Sequence, residues 1–366
     1  DRRRCALAGG GGVKIAAVGS ALPPHAYDQE TLLAAFRERW AERYFNLERL
    51  EQLHRNVLVG GRRLALPMEE YPRIESWGQA NDHWIRVAQE LGGEALLAAL
   101  AAAGLGTGDV DAMFFVTVTG VAVPSIDARL INRLHLPPTV KRVPIFGLGC
   151  LAGAAGVARC ADYLEGHPDD VAVLLSVELC SLTLQREDLS IENLIASGLF
   201  GDGAAAAVLV GSSRAAAGPT VVDSRSSFYP DTERVMGWDV SERGFKVVLS
   251  AEVPEMVRRH LGRDVDRFLA DHGLTRADIA VWISHPGGPK VLEAMQETLE
   301  LPEGALESAW RTLREVGNLS STSVLLVLQE ALEQPPPPGS WGLMSAMGPG
   351  FCSELVLLRW EEGGPG

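Results

Sequence analysis

Hydrophobic and polar positions follow two patterns along the chain. Short apolar runs between turn residues predict buried strands, and longer stretches with apolar residues three or four positions apart predict amphipathic helices. The predicted strands are residues 13–21, 112–118, 171–177, 204–210, 220–228, 279–284, 342–347 and 353–360. The predicted helices are residues 28–40, 83–104 and 254–272, with others that follow Cys150 or begin at Lys290 and Ser323. This alternation predicts a layered α/β protein.

The pattern divides into two halves, each of which ends with paired strands after a helix. The turn-rich segment 211–218 is the predicted boundary, so we expect an N-terminal half at 13–210 and a C-terminal half at 211–366. Residues 1–12 (DRRRCALAGGGG) begin with basic residues, but their apolar run is too short and too rich in glycine for a secretory signal. We expect this segment to be flexible, as a trimmed or artificial end.

Composition limits the classes of protein that fit this pattern. The chain has 366 residues, of which 46% are hydrophobic, enough for a large core. No apolar stretch reaches the length of a membrane span. A net charge of −14 argues against a nucleic-acid partner, and a phosphate-bearing substrate would need a local cationic patch. The five cysteines show no paired spacing, so we expect neither disulfides nor a zinc site, and a reducing, cytoplasmic compartment.

Cys150 precedes a helix whose first two turns consist almost entirely of small residues (LAGAAGVA, 151–158). A helix N-terminus favours the thiolate over the thiol and lowers a cysteine pKa, which suits a nucleophile. The alternative is a buried structural cysteine, since unpaired cysteine is among the most buried residue types. Two polar residues from later in the chain favour the nucleophile.

The first of these is His285, which ends an apolar strand. Pro286 favours an extended backbone at His285, and the two glycines that follow let a ligand approach the main chain. The second is Asn318, in a polar loop before an apolar helix. Taken singly, the histidine also fits a core imidazole and the asparagine a helix cap. Together with a cysteine they fit acyl transfer, either to water or to carbon.

Five short motifs around these residues occur in the order found in type III polyketide synthases, the chalcone synthase-like enzymes. They are GLGCLAG (147–153), GLFGDGAA (198–205), HPGGP (285–289), GNLSS (317–321) and MGPG (347–350). The resemblance extends from about residue 13 to residue 360. The segments TVTGVAVPS (117–125) and GWD (237–239) are more similar to the bacterial branch than to the plant branch.

The resemblance implies a thiolase fold, in which two similar halves stack as five αβαβα layers. It also implies a homodimer, with the segment around Val123 near the interface, and an acyltransferase that uses acyl-CoA and malonyl-CoA. No cofactor, no metal and no obligatory acyl carrier protein are expected. A Cys150 thiolate paired with protonated His285 would take up the starter acyl group. His285 and Asn318 would then stabilise the enolate that forms when malonyl-CoA loses CO₂.

Further residues receive substrate-binding roles from the resemblance. Phe200 matches the family's gatekeeping phenylalanine between the CoA tunnel and the product cavity. Gly287 and Gly288 are candidates for contacts with the pantetheine arm. Arg62 and Arg63 are the nearest candidates for the CoA phosphates, although they do not match the plant residues one for one.

The expected cavity walls bear on the product. Met347 and Gly348 belong to a tight turn that reads AMGPG where plant enzymes have GFGPG. Other expected wall positions are Thr119, Val123, Cys180 and Thr183. Small residues at the first three open an alkyl tunnel in long-acyl bacterial members, although Val123 is bulkier than alanine. We therefore expect a medium or long aliphatic starter, two or three extensions and an alkylpyrone or alkylresorcinol.

Four alternatives stay open at this point. A synthase of the tetrahydroxynaphthalene type would use malonyl-CoA only. A ketoacyl-ACP synthase III-like enzyme would share the fold and the three polar residues but would need a basic surface for a carrier protein. A cysteine hydrolase would release free acid. A catalytically silent subunit of a heterodimer is the alternative that is not an enzyme.

Overall fold

The computed structural model describes residues 11–41 and 46–361. The expectation for the N-terminal segment falls almost entirely outside the described residues. None of the helices in the described part of the chain combines the length and apolarity that crossing a membrane requires.

Eight of the thirteen strands in the described residues follow the predicted apolar runs, and the other five were not predicted. They are β1 (Lys14–Ala21), β2 (His25–Asp28), β3 (Gly61–Leu64), β4 (Ala112–Thr117), β5 (Lys141–Phe146), β6 (Val171–Leu179), β7 (Asp202–Val210), β8 (Thr220–Phe228), β9 (Met236–Ser241), β10 (Gly244–Leu249), β11 (Ile279–Ser284), β12 (Trp341–Gly348) and β13 (Cys352–Arg359). The predicted bounds of β8 and β11 agree with the structure at both ends.

The helices between these strands differ more from the prediction. They are α1 (Gln29–Trp40), α2 (Leu47–Asn56), α3 (Trp77–Ala102), α4 (Ile126–Leu134), α5 (Ala152–Glu165), α6 (Ile191–Leu199), α7 (Val253–Ala270), α8 (Pro289–Thr298), α9 (Glu307–Val316) and α10 (Ser323–Glu333). Helix α3 begins six residues before the predicted start, after the N-cap Ser76. Its first turns are polar because Asn81 there exchanges two hydrogen bonds with the main chain of Val121, a contact that periodicity does not reveal.

Nine strands form one sheet in the order β11-β12-β13-β8-β1-β7-β6-β4-β5. In the N-terminal half β4 is parallel to β5 and β6, and antiparallel pairing continues through β7 to β1. The C-terminal half has the same plan, since β11 is parallel to β12 and antiparallel pairing continues through β13 to β8. The halves meet where Lys14 of β1 pairs with Thr220 of β8.

Helices α5 and α10 lie within the core between the two halves of the sheet. Helix α5 packs against β6 and β13, and α10 packs against β1 and β11. On β7, Ala205 and Ala207 belong to this inner core, whereas Ala204 and Ala206 pack towards α3 on the outer face. A strand buried on both faces reads as a continuous apolar run, which explains why periodicity predicted β6 and β7 correctly.

Small residues at the start of α5 let the two central helices approach each other. A Cβ atom on Gly153 would lie 2.3 Å from the carbonyl oxygen of Ser321 and 2.5 Å from Val324 Cγ1. Cys150, just before α5, and the Asn318 loop, just before α10, are therefore brought close together by the packing of their helices.

Candidate active site

Cys150 lies in the middle of a short 3₁₀ turn, Gly149–Leu151, that leads into α5. Gly149 has φ = +56°, and a Cβ atom there would lie 2.7 Å from Pro349 Cδ. Glycine is therefore required at this position, both for the left-handed backbone and for the close contact with the MGPG turn. The turn that carries the sulfur is locked between α5 and the end of β12.

His285 follows the last residue of β11, and its main-chain N–H donates to the carbonyl of Ser345 on β12 (2.9 Å). Its side chain is buried, and neither ring nitrogen has a hydrogen-bond partner among the residues described. Burial lowers the pKa of His285 to about 4, so the imidazole is neutral at physiological pH. Burial thus opposes protonation of the ring, but both ring nitrogens remain available for a hydrogen bond or a proton from a group in the site.

Asn318 is held by both its main chain and its side chain. The main chain exchanges two hydrogen bonds with the segment around Phe200, from Asn318 N to Leu199 O and from Gly201 N to Asn318 O, each 2.9 Å. The side-chain oxygen accepts from the N–H of Ser320 (2.8 Å), and the side-chain nitrogen donates to the carbonyl of Gly287 (3.1 Å). The amide cannot flip without losing both bonds, so its N–H₂ group keeps a defined direction.

The protonation state of Cys150 differs from the sequence-based expectation. Burial raises its pKa to about 11, while a hydrogen bond with the side chain of Ser320 (Sγ–Oγ 3.6 Å) opposes this shift. In the ligand-free protein, burial therefore favours the neutral thiol and the neutral imidazole over the predicted thiolate paired with protonated His285. The reason is that removal of the sulfur from water outweighs the field of the helix terminus.

These three side chains line one cavity of about 290 Å³, which we call the Cys150 cavity. Gly287, Gly288 and Met347 also line it, and so does the exposed Lys290 at the start of α8. Gly348 lies next to the nucleophile turn, since a Cβ atom there would be 2.8 Å from Leu151 N. The turn AMGPG thus forms part of the wall beside the sulfur.

A second cavity of about 390 Å³, the inner cavity, lies beyond Phe200, and Phe200 lines both cavities. Cys180 and Thr183 line the inner cavity, together with Trp238 and Phe245, whose rings stack on each other. The remaining walls include the polar side chains of Arg62, Tyr71, Ser181 and Asn193. A single phenylalanine therefore separates the cysteine from a mainly apolar chamber.

Two expected wall residues lie elsewhere in the structure. Thr119 is buried in a hydrogen-bond network, where it donates to Glu178 (2.9 Å) and accepts from Trp84 Nε1 (3.1 Å), and it is not among the described side chains that line either cavity. Val123 is 97% exposed on the surface of the single chain. Neither residue lines a described cavity of the single chain, because hydrogen bonds hold Thr119 elsewhere and the loop leaves Val123 exposed, so their role in substrate binding stays a prediction.

The two arginines proposed for CoA phosphates also lie away from the Cys150 cavity. Arg62 is only 5% exposed and donates to the carbonyls of Ser197 (2.6 Å) and Phe200 (2.9 Å). Arg63, on the opposite face of β3, donates to the carbonyl of Pro23 (3.3 Å). Neither arginine is among the described side chains that line the Cys150 cavity, so neither guanidinium lies on the cysteine side of Phe200.

Sequence reasoning missed some polar residues beside the nucleophile. Glu178 accepts hydrogen bonds from Ser321 (2.5 Å), Thr119 (2.9 Å) and the N–H of Val118 (3.1 Å). Burial raises its pKa to about 7. A carboxylate inside an otherwise apolar strand is a signal that would have identified it. Ser320, which contacts the sulfur, lies in the GNLSS motif (317–321), but no role was predicted for it.

Comparisons with known proteins agree with this architecture. Family profiles described as "Chalcone and stilbene synthases, N-terminal domain" and "C-terminal domain" match residues 1–214 and 220–360. The chain is 54% identical to 1,3,6,8-tetrahydroxynaphthalene synthase from Streptomyces peucetius subsp. caesius over 95% of this chain and 93% of the relative. It is 37% identical to a putative chalcone synthase from Bacillus subtilis over 95% and 99% of the two chains.

A solved structure is similar over the whole fold. The 1,3,6,8-tetrahydroxynaphthalene synthase of Streptomyces coelicolor, a bacterial type III polyketide synthase, superimposes with a TM-score of 0.91 at 30% identity, covering 96% of this chain and all of the other. The two-half architecture and the cysteine site thus define a condensing enzyme with the thiolase fold.

More particularly, the chain belongs to the chalcone and stilbene synthase family and is a type III polyketide synthase, an acyltransferase that depends on CoA. The family match decides against the ketoacyl-ACP synthase III-like alternative.

Proposed function

We propose that this enzyme uses malonyl-CoA as both starter and extender and forms a pentaketide of the 1,3,6,8-tetrahydroxynaphthalene type. The observation that carries the proposal is the 54% identity, over nearly the whole chain, to a relative with that name. Five malonyl units that each lose CO₂ supply ten carbons, which is the number in a naphthalene skeleton. This product was one of the alternatives left open by the sequence.

The cavity walls support this product over an alkylpyrone. The hypothesis of an alkyl tunnel depended on three wall positions, and only Cys180 of the three lines the inner cavity. The aromatic pair Trp238 and Phe245 contributes to the walls of the same chamber, and Trp238 Nε1 is anchored to the carbonyl of Val118 (2.9 Å). Fixed aromatic rings and nearby polar groups suit a short, oxygen-rich chain better than a long alkyl chain.

In the first step of the proposed mechanism, the Cys150 sulfur attacks the thioester carbonyl of a malonyl-CoA. The neutral imidazole of His285 takes the thiol proton as the carbon–sulfur bond forms, and the leaving CoA sulfur takes that proton back. Ser320, whose hydroxyl accepts the hydrogen bond of the thiol, and the Asn318 side chain favour the thiolate as it develops, since both lower the pKa of Cys150. The acyl group then stays on the enzyme.

In the second step, another malonyl-CoA binds with its thioester carbonyl towards His285 and Asn318. Its carboxylate leaves as CO₂, and the electron pair of the broken bond forms an enolate whose oxygen accepts hydrogen bonds from these two side chains. The enolate carbon attacks the acyl-cysteine, and the Cys150 thiolate leaves. Phe200 supports the loss of CO₂, because an apolar ring beside the carboxylate favours the neutral product.

Recognition of the CoA phosphates is assigned to a different residue from those expected. Lys290 lines the Cys150 cavity and is exposed, whereas Arg62 and Arg63 lie elsewhere. In a chain with a net charge of −14, a lysine at this mouth supplies a local positive charge for a phosphate.

We also propose that the enzyme is a homodimer in a reducing, cytoplasmic compartment. It uses CoA thioesters as substrates and needs no cofactor and no carrier protein. Val121, Val123 and Phe146 are exposed apolar side chains, which supports self-association through the surface that they form. The four cysteines of the described chain are free thiols, which suits a reducing compartment. Sedimentation or light scattering measures the oligomeric state directly.

Incubation of the purified protein with malonyl-CoA alone tests the product assignment. We expect a ten-carbon aromatic product by mass spectrometry, with Cys150→Ala as the inactive control. A parallel panel of acetyl-CoA to palmitoyl-CoA starters tests the alkylpyrone alternative. Turnover only in the presence of a long-chain starter would overturn the malonyl-only proposal, and free acids alone would indicate hydrolysis.

A further inference from the structure

One wall of the inner cavity contains a connected row of polar side chains that the condensation steps do not use. Tyr71 and Ser181 line the cavity, and their side-chain oxygens lie 2.5 Å apart. The Ser181 hydroxyl also bonds to a carboxylate oxygen of Asp202 on β7. Asp202 is fully buried, so the row leads from the cavity surface into the protein.

The direction of these hydrogen bonds follows from the acceptor at the buried end. An ionised carboxylate only accepts, and Asp202 also accepts from the N–H groups of Ser181 (2.8 Å) and Ala65 (2.6 Å). The Ser181 hydroxyl therefore donates to Asp202, and the Tyr71 hydroxyl donates to Ser181. The phenol oxygen also accepts from the N–H of Leu66 (3.4 Å), and its second lone pair is left for a group in the cavity.

The charges around Asp202 keep its carboxylate mainly ionised near neutral pH. Burial raises the pKa of Asp202 to about 6, and the hydrogen bonds from Ser181 and Ala65 together with the charge of Arg62 oppose this shift. Burial also raises the pKa of Tyr71 and that of the neighbouring Cys180, so both stay neutral. Arg62, on β3, is thus the cation beside Asp202, and its Nε and Nη2 atoms have no hydrogen-bond partner among residues 11–41 and 46–361.

A polar cavity of about 540 Å³ lies on the other side of the same two side chains. Tyr71 and Ser181 line it, and so do charged residues at the surface such as Glu75 and Arg243. The row of oxygens therefore lies between the mainly apolar chamber and a space that reaches solvent. A proton taken from the chamber has a route to water.

We propose that Tyr71, Ser181 and Asp202 form a proton relay that deprotonates the poly-β-keto chain for ring closure in the inner cavity. This inference rests on the proposed function, because it needs a substrate with acidic carbon–hydrogen bonds between carbonyl groups. Tyr71 is the catalytic residue that touches the chain, and Ser181 and Asp202 act through it.

The proton and electron balance of the step is complete. A carbon between two carbonyls gives its proton to the Tyr71 oxygen, the Tyr71 proton passes to Ser181, and the Ser181 proton passes to Asp202. The electron pair left on carbon forms a bond to a ketone carbon of the same chain, and that ketone oxygen takes a proton from water. The proton held by Asp202 returns through the Ser181 hydroxyl, which lines the polar cavity of about 540 Å³, and neutralises the hydroxide there, so that the relay is reset.

The test compares Tyr71→Phe with Ser181→Ala and with the control Tyr27→Phe. Tyr27 is also partly buried, and its hydroxyl oxygen accepts a hydrogen bond from the N–H of Met68 (3.0 Å). Its side chain does not line any of the three described cavities. Each variant is incubated with malonyl-CoA, and CO₂ release and the ratio of aromatic to pyrone products are measured.

General acid–base groups contribute about 10²–10⁴-fold to a proton transfer. We therefore expect the ratio of aromatic to pyrone products to fall at least tenfold in Tyr71→Phe and Ser181→Ala, with CO₂ release within about twofold of the parent. Tyr27→Phe should keep the parent ratio.

An unchanged ratio in both relay variants would overturn the relay, as would an equal fall in Tyr27→Phe or a parallel loss of CO₂ release. Failure of the proposed function gives a different result, because the parent enzyme itself would then make no aromatic product from malonyl-CoA. Ser181→Ala keeps the test decisive if Tyr71→Phe does not fold.

Discussion

The two cavities on either side of Phe200 hold titratable groups in different ways. In the Cys150 cavity, burial favours the neutral form of both reacting groups, with the pKa of Cys150 raised to about 11 and that of His285 lowered to about 4. In the wall of the inner cavity, Arg62 and several hydrogen-bond donors help a buried carboxylate to stay charged.

This difference suits the chemistry proposed for each chamber. Thioester exchange at Cys150 needs a proton to move back and forth between two groups, so a neutral pair is sufficient. Ring closure needs a net base, and a buried carboxylate with a route to water can serve as one.

The largest expected effect comes from Cys150→Ala. Without the sulfur there is no acyl-enzyme, so product formation should fall by about 10⁴-fold or more. Cys160→Ala is the matched control, since Cys160 is a buried cysteine of α5 outside the side chains lining the described cavities. Liquid chromatography with mass spectrometry measures both. Residual product in Cys150→Ala would contradict the assigned nucleophile.

The protonation state of Cys150 predicts how its alkylation depends on pH. Only the thiolate reacts with iodoacetamide, and a raised pKa leaves little thiolate at neutral pH. The alkylation rate should therefore rise about tenfold per pH unit, or about 10³-fold from pH 6 to pH 9, as measured by mass spectrometry of the peptide. A constant rate between pH 6 and pH 8 would instead show a thiolate–imidazolium pair.

Asn318→Ala should separate the two steps at Cys150. Loss of one preorganised donor to the enolate costs about 10²–10³-fold in rate, whereas acyl transfer to the sulfur does not need that donor. We expect condensation to fall by this factor while intact-protein mass spectra still show acylated Cys150. Equal loss of acylation and condensation would place Asn318 in the loading step.

Phe200→Ala removes the ring that separates the two cavities. We expect about a tenfold slower release of CO₂ from malonyl-CoA, because the carboxylate is then better solvated, together with a broader range of chain lengths. Phe228→Ala is the control, since Phe228 is an exposed phenylalanine at the end of β8. A product profile identical to the parent would show that Phe200 does not limit chain length.

The smallest effect is expected at the mouth of the Cys150 cavity. Lys290→Ala should raise the KM for malonyl-CoA about three- to tenfold, and the difference should diminish as salt screens the charge. Arg63→Ala should leave KM within about twofold, because its guanidinium contacts Pro23 instead. Steady-state kinetics at two salt concentrations distinguish the two variants. A larger rise in KM for Arg63→Ala than for Lys290→Ala would instead support Arg63 as the phosphate-binding residue.

Much of the architecture could be predicted from the sequence alone. Strands buried on both faces, such as β6 and β7, read as continuous apolar runs, so their existence follows from composition over a few residues. Cys150, His285 and Asn318 were recognisable because each lies in a glycine-containing motif at the end of a regular element. Local conformation is a short-range property, and the sequence determines it directly.

Tertiary structure decided which of these residues meet and in what chemical form. Arg62 and Arg63 are neighbours in sequence, yet one is buried beside Asp202 and the other lies on the opposite face of β3. The row from Tyr71 through Ser181 to Asp202 joins three distant segments, and no local pattern marks it. Burial and hydrogen-bond partners depend on contacts between remote parts of the chain, and these determine the pKa values on which the chemistry depends.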